Sequence, residues 1–309
     1  MDDLEIRRER AQNIWASFSR KFEPVGQSTV LEPVPDFALS RIGGLTAAKE
    51  EIQTYAYAAT ETEIYARWGT QPPSGLLLIG QPGVGKQLLA RCLASLTGTS
   101  FLNVVIPKLV LEVIHRGGKA GELAVEWTTT LSEMPPLTVL FNELEFLQAE
   151  EIGGRRPDLP VGPVMDFLLD LTDRTIAFEQ HLVVGSTSHP DTLRRAFAQP
   201  GRFERVVEVT PIFPGDIIDT LSIHAAAAEK RAGRPLFDSV EWETVTLGYH
   251  HSSLGDWVQI LHAALRRKAR HEAGGEDVGI VTTQDLNEEV ERFKRASGRI
   301  TTPKSGNYV

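Results

Sequence analysis

A glycine-rich loop with a single lysine is the feature of the sequence with the clearest chemistry. It occupies residues 80–87, between an apolar run at 76–79 and a helical pattern. In a strand, glycine turn and helix of this order, backbone N–H groups point at an anion and the lysine reaches the terminal phosphates of a nucleotide. A purely structural strand-to-helix turn is the alternative. We favour phosphate binding by Gly80, Pro82, Gly83, Val84, Gly85, Lys86, Gln87 and Leu88.

The last position of the loop departs from the usual pattern. Phosphate loops end in serine or threonine, whose hydroxyl binds the magnesium that bridges the β- and γ-phosphates. This loop ends in Gln87, which is longer and offers only an amide oxygen. The substitution predicts a weakened Mg²⁺ site.

A second candidate follows the apolar run at 137–141, where the sequence continues Asn142-Glu143-Leu144-Glu145. In nucleotide hydrolases such a strand delivers an aspartate to the metal shell and, beside it, a glutamate that polarises the attacking water. Asn142 occupies the aspartate position and Glu143 keeps the other. Read alone, these residues are most often a polar turn, but their spacing from the glycine loop favours the catalytic interpretation. Both metal-holding positions are then neutral amides.

Length and composition indicate one large domain, or a domain with a smaller companion. The chain has 309 residues, a net charge of −9 and a pI near 5.5. This acidic balance disfavours nucleic acid as a general partner, and no apolar run approaches the roughly 18 residues of a membrane helix. Cys92 is the only cysteine, so an internal disulfide is excluded. The N-terminus lacks the apolar region of a secretory signal, and we expect a cytoplasmic protein with no membrane partner.

The spacing of apolar residues predicts an α/β fold with two parts. From 37 to 212, short apolar runs alternate with segments of helical period, which is typical of a five-stranded parallel P-loop sheet with covering helices. The five strands are predicted at 76–79, 101–105, 137–141, 182–184 and 206–209. Residues 213–298 then form a small all-helical lid subdomain, with helices predicted at 217–230, 241–246, 256–271 and 284–296.

The two ends of the chain are expected to lie outside the core. Residues 1–36 combine a charged helical stretch with proline-rich sequence, which we interpret as an N-terminal arm or linker. Residues 299–309 are a polar tail. The pair His250-His251 is interpreted as a solvated loop, because further ligands with metal spacing do not accompany it.

The chain resembles the AAA (AAA+) ATPase family, in its classical branch, over about residues 37–297. Ile42-Gly43-Gly44-Leu45 is similar to the family's adenine-side segment. The other matching stretches are residues 73–80 before the loop, 185–191 and 199–205 in the second region of homology, and 216–224 and 254–256 in the helical lid.

This resemblance implies a module that binds ATP or ADP with Mg²⁺, assembles as a homo- or hetero-oligomeric ring, usually of six, and acts on a protein partner. It assigns Lys86 to the phosphates, Glu143 to the water, Ser188 to the sensor position, Arg202 to the γ-phosphate of a neighbouring subunit and His224 to the sugar or base edge. It also implies that Ile42, Gly43 and Gly255 lie on the nucleoside side of the site.

Four positions depart from the family pattern. Gln87 replaces the hydroxyl residue, Asn142 the acidic residue, Ser188 the sensor asparagine and Gln199 the first of two arginines. Loss of an arginine that acts in trans can cost ~10³ or more in rate. Translocating members also place an aromatic residue near positions 113–115 to grip a polypeptide, whereas no Phe, Tyr or Trp occurs from Leu102 to Glu126.

Three functions remain open from the sequence. We favour a nucleotide-binding module with weak or absent ATP hydrolysis that serves as a scaffold or regulatory ring subunit, because the departures cluster on one chemical task. The alternative is an active AAA ATPase that remodels or disassembles a protein substrate. A DNA-handling P-loop protein, such as a clamp-loader subunit, is disfavoured by the net charge and by the sequence at 200–202.

Overall fold

A computed structural model describes residues 3–71, 73–115, 120–144, 161–193, 195–247, 249 and 252–301. Contacts divide the chain into two compact units. The first comprises Met1–Leu39, Thr46–Gln81 and Lys86–Val209, and the second comprises Ser40–Leu45, Pro82–Gly85 and Thr210–Val309. The predicted His250-His251 loop and Glu145 lie outside the described residues.

The first unit is built on a six-stranded sheet in the order β1-β3-β4-β5-β2-β6. Its strands are β1 (Thr29–Glu32), β2 (Leu76–Ile79), β3 (Ser100–Val105), β4 (Leu137–Asn142), β5 (Leu182–Thr187) and β6 (Arg205–Glu208). The neighbouring pairs β3–β4, β4–β5, β5–β2 and β2–β6 are all parallel. The four interior strands are almost wholly buried because helices cover both faces of such a sheet. The predicted α/β class and its five parallel strands are confirmed.

Helices connect the parallel strands and carry the rest of the first core. They are α3 (Thr46–Thr60), α4 (Thr62–Arg67), α5 (Lys86–Thr97), α6 (Ile106–His115), α7 (Ala120–Glu133) and α8 (Val161–Ile176). On α5, Leu89, Cys92 and Leu93 are fully buried, whereas Leu88 and Leu96 are 39% and 44% exposed. Residue Val113, near the position of the family's gripping aromatic, packs against the core.

The N-terminal segment is part of this core, so the prediction of an arm over residues 1–36 is wrong. This segment forms α1 (Asp3–Lys21), α2 (Glu23–Ser28) and the antiparallel edge strand β1. Trp15 and Phe18 lie one helical turn apart and are 6% and 4% exposed, and the Trp15 ring meets Trp127 of α7 edge-on at 5.7 Å. This apolar stripe on an otherwise charged helix holds the segment against the sheet.

The second unit is mainly helical, as predicted for the lid. Its helices are α9 (Gly215–Ala232), α10 (Trp242–Thr246), α11 (Leu254–Ala273) and α12 (Thr283–Thr301). Arg267 of α11 forms ion pairs with Asp285, Glu288 and Glu289 of α12, which joins these two helices. Residues 302–309 of the predicted tail lie outside the described residues. Among the described helices of the chain, none is long and apolar enough to cross a membrane.

Candidate nucleotide site

The glycine loop joins β2 directly to α5, as its sequence predicts. Gly80, Gly83 and Gly85 have φ angles of 156°, 77° and 102°, which L side chains rarely adopt. A Cβ atom at Gly80 would also lie 2.4 Å from the Val209 carbonyl oxygen. The loop conformation therefore requires glycine at these positions.

Lys86 begins α5 and is 9% exposed. Its Nζ donates to the carbonyl oxygens of Gly80 at 2.5 Å and Gln81 at 2.9 Å, and to Ser188 Oγ at 3.0 Å. The structure thus brings the predicted phosphate lysine and the predicted sensor residue into direct contact. These three hydrogen bonds hold the Lys86 ammonium group at the glycine loop.

Asn142 and Glu143 lie at the end of β4, next to Ser186 of β5. Ser186 Oγ donates to Asn142 Oδ1 at 2.6 Å and accepts from the Glu143 N–H at 3.3 Å, and the Leu144 N–H donates to the Ser186 carbonyl oxygen at 3.0 Å. Glu143 is exposed and has a φ of 63°, a conformation that is costly for a non-glycine residue and concentrates at functional sites. Ser186 therefore contacts both the predicted metal-shell residue Asn142 and the backbone of Glu143.

The remaining loop residues lie in the second unit with the lid. The Gly255 N–H donates to the Gly83 carbonyl oxygen at 3.0 Å, and a Cβ atom at Gly83 would lie 2.7 Å from Ser253 Oγ. Ser253 also caps α11, since its hydroxyl accepts from the Asp256 N–H. Gly83 and Gly255, both candidate nucleotide-binding residues, are thus hydrogen-bonded to each other. Val84 is buried, whereas Pro82 is exposed.

The adenine-side residues also belong to the second unit. Ile42 is 5% exposed, and Gly43 lies directly against Thr220 of α9. His224 follows one turn later on α9 and meets His262 of α11 edge-on, with ring centroids 6.1 Å apart. Burial is the main cause that lowers the pKa of His224, and the charges of His262 and Arg231 lower it further.

The last two residues of the predicted phosphate-binding set lie in the first turn of α5. Gln87 and Leu88 are both exposed on the first turn of α5. Gln87 therefore offers its amide at the edge of the loop, where the family places a hydroxyl.

Arg202 follows a tight turn and is paired within its own chain. The Arg202 N–H donates to the Gln199 carbonyl oxygen at 3.1 Å, and Gly201 has a φ of 82°, the geometry that a Pro-Gly pair favours. The guanidinium donates to both carboxylate oxygens of Asp173 on α8, at 2.6 and 2.8 Å, and to the Ala196 carbonyl oxygen at 2.7 Å. The hydrogen bonds to Asp173 are the main cause that raises the pKa of Arg202.

The family model for the ATPase family associated with various cellular activities (AAA) matches residues 76–211. This range contains the glycine loop, the Asn142-Glu143 pair and Arg202. Residues 76–211 belong to the AAA ATPase family.

Similar AAA proteins include a cell division cycle protein 48 homolog of Archaeoglobus fulgidus, 29% identical over 74% of this chain and 31% of the relative. The 26S proteasome regulatory subunit 10B homolog A of Arabidopsis thaliana is 30% identical over 70% of this chain and 54% of the relative. A proteasome-activating nucleotidase of Archaeoglobus fulgidus is 32% identical over 63% and 49%. The chain spans about a third to a half of the length of these relatives.

The AAA motifs identified the loop, but three residues that contact predicted site residues were missed from the sequence. Ser186 fixes Asn142, Asp173 binds Arg202, and Ser253 lies against Gly83. Each is separated in sequence from its partner, so only the folded chain reveals the contact. The one available signal was the run of small polar residues at 185–188 in an otherwise apolar strand.

Proposed function

We propose that this AAA chain is an adenine-nucleotide-binding module with weak or absent ATP hydrolysis, which acts as a scaffold or regulatory ring subunit on a protein partner. The observation that carries the proposal is the chemistry of the metal-shell positions. Gln87 and Asn142 are both amides, and the Asn142 oxygen already accepts a hydrogen bond from Ser186 at 2.6 Å.

Nucleotide binding is supported by the loop itself. Gly80, Gly83 and Gly85 hold the backbone in the conformation in which N–H groups can face an anion, and Lys86 supplies a cation beside them. Lys86 would bind the phosphates, and Ser188, already in contact with its Nζ, would orient it. We assign the nucleoside side to Ile42, Gly43, His224 and Gly255.

The donors around Asn142 do not fit a tightly held magnesium ion. In nucleotide sites Mg²⁺ is held by a carboxylate and a loop hydroxyl together with phosphate oxygens, whereas Asn142 and Gln87 supply neutral amides at those two positions. We therefore infer a weakened Mg²⁺ site, and Glu143 remains the residue that would accept a proton from water.

A ring with a protein partner is supported by the relatives and by Arg202. Two relatives are named as a proteasome regulatory subunit and a proteasome-activating nucleotidase, and such names favour a protein partner for this chain. Arg202 would complete a neighbour's site only by exchanging its pairing with Asp173. The absence of an aromatic residue from Leu102 to Glu126 argues against threading by an aromatic grip.

The test is calorimetric titration of ATP and ADP together with steady-state turnover. The parent protein should bind both nucleotides, Lys86→Ala should lose affinity, and the matched surface variant Lys108→Ala should not. No binding by the parent at millimolar nucleotide would refute the functional site. Turnover of about 1 s⁻¹ or faster, an ordinary enzymatic rate, would replace the proposal with the alternative of an active ATPase that remodels a protein.

A further inference from the structure

Asp216 is a buried carboxylate in the first turn of α9 to which no motif assigns a role. It is 8% exposed. One of its oxygens, Oδ2, accepts from the Leu45 N–H at 3.0 Å and from the Ile212 N–H at 2.9 Å. A single oxygen atom therefore ties the segment Ser40–Leu45 to the start of the helix.

The segment lies so close to α9 that no side chain fits between them. A Cβ atom at Gly44 would lie 2.1 Å from Asp216 Cγ, and one at Gly43 would lie 2.3 Å from the Thr220 backbone nitrogen. Asp216, Thr220 and His224 are spaced by four residues and share one side of the helix. The two glycines thus pack on the same side of α9 that carries His224.

Leu45, at the end of the segment Ser40–Leu45, adopts a backbone conformation that is unfavourable for its side chain. Its φ is 55°, in the left-handed region that a branched side chain avoids, and such a conformation persists only where the surroundings determine it. The hydrogen bond from the Leu45 N–H to Asp216 is one such constraint. Leu45 Cδ1 in turn lies 3.7 Å from the position that a Cβ atom at Gly85 would take.

We propose that Asp216 is a positioning residue that holds Ile42 and Gly43 in place and thereby sets the affinity of the site for the nucleoside part of its ligand. The inference rests on the proposed function, since it requires that the loop bind a nucleotide. Among the phosphate-binding groups, the Lys86 ammonium is held by Gly80, Gln81 and Ser188 instead of by Asp216. Loss of Asp216 should therefore affect the nucleoside side and spare the phosphate side.

Hydrogen bonding and charge can be separated at this position. Both N–H donors share Oδ2, so the amide oxygen of Asp216→Asn can accept both bonds without the charge, whereas Asp216→Ala removes the acceptor. Asp219→Ala is a matched control, because Asp219 is an exposed carboxylate on the same helix. Gly43→Ala is an independent variant, since its methyl group would displace the segment from Thr220 while leaving Asp216 intact.

The experiment is calorimetric titration of each variant with ATP and with inorganic tripolyphosphate, which lacks the nucleoside. Asp216→Ala and Gly43→Ala should lower ATP affinity about tenfold and change tripolyphosphate affinity by less than about threefold. Asp216→Asn and Asp219→Ala should match the parent for both ligands.

Equal losses for ATP and tripolyphosphate would show a general structural role and overturn the proposal. A tenfold loss of ATP affinity in Asp216→Asn would overturn it in favour of a charge effect, and it would do so even if Asp216→Ala failed to fold. Failure of the parent to bind either ligand would refute the proposed function, and this inference with it.

Discussion

Restoring both metal-holding positions, by Gln87→Thr together with Asn142→Asp, should raise the rate of ATP hydrolysis. Asn142 Oδ1 already accepts from Ser186 Oγ at 2.6 Å, and a carboxylate keeps that bond in a charge-assisted form that is roughly twice as strong. The same change replaces the amide nitrogen, a donor, with a second acceptor oxygen. The substitution therefore adds a ligand and a negative charge without requiring rearrangement of β4 or β5.

The expected gain follows from the energy of one added charge. A unit charge beside a bound cation in a partly exposed site is worth on the order of 1–3 kcal/mol, and each 1.36 kcal/mol of barrier is tenfold in rate. We therefore expect the double variant to be about 10- to 100-fold faster than the parent. Each single variant should gain less, because ligands of one metal site act as a unit.

The assay is steady-state phosphate release at saturating ATP and Mg²⁺. Lys86→Ala in the restored background should abolish the gain, which shows that the rate comes from this loop. If the double variant binds Mg²⁺ and ATP tightly yet remains as slow as the parent, the metal-shell explanation is wrong. The defect would then lie at Ser188, at Gln199 or in assembly.

Three further predictions concern assembly, the N-terminal core and pH. Arg202→Ala should weaken nucleotide-dependent oligomers in light scattering, whereas the exposed control Arg195→Ala should not. Trp15→Ala should lower the free energy of unfolding in urea by about 3–5 kcal/mol, the usual cost of truncating a buried tryptophan. Burial lowers the pKa of His181 below its ordinary 6.5, so on acidification the unfolded chain binds the proton before the folded chain does. The free energy of unfolding should therefore fall as the pH drops from about 6.5 to the folded pKa. The loss should be smaller in His181→Asn than in the parent.

Each of these predictions has a contrary outcome. A strict monomer under all nucleotide conditions, with no partner subunit, would count against a ring. If Trp15→Ala lowers the free energy of unfolding by less than about 1 kcal/mol, residues 1–36 are an arm that contributes little to the core. Equal acid sensitivity of His181→Asn and the parent would show that other groups cause the loss, even though His181 Nδ1 accepts from the Leu137 N–H at 3.2 Å.

The parallel sheet could be predicted because its strands are short apolar runs separated by helical segments. The N-terminal segment could not, because its mean composition is charged and its apolar residues form a narrow stripe. Trp15 and Phe18 pack against the Trp127 ring of α7, which lies more than a hundred residues away in sequence. The four-residue strand β1 is likewise defined by its antiparallel partner β3.

In the candidate site, likewise, features set by adjacent residues could be predicted, whereas contacts between distant residues could not. The loop at 80–87 is a local pattern, and its positive φ angles follow from its glycines. Ser186 and Asp216 act through partners 44 and 171 residues away, and a single sequence does not show which residues pair over such separations. The roles of Glu143, Ser188, Arg202 and His224 in the bound complex stay predictions.

The central claim is that the loop binds adenine nucleotide with little help from magnesium. It is tested most directly by one calorimetric titration of ATP into the parent protein, with Mg²⁺ and with a chelator. The account predicts binding in both conditions, with affinities within about threefold of each other. Affinity that falls more than about tenfold in the chelator would show a working metal site and contradict the account.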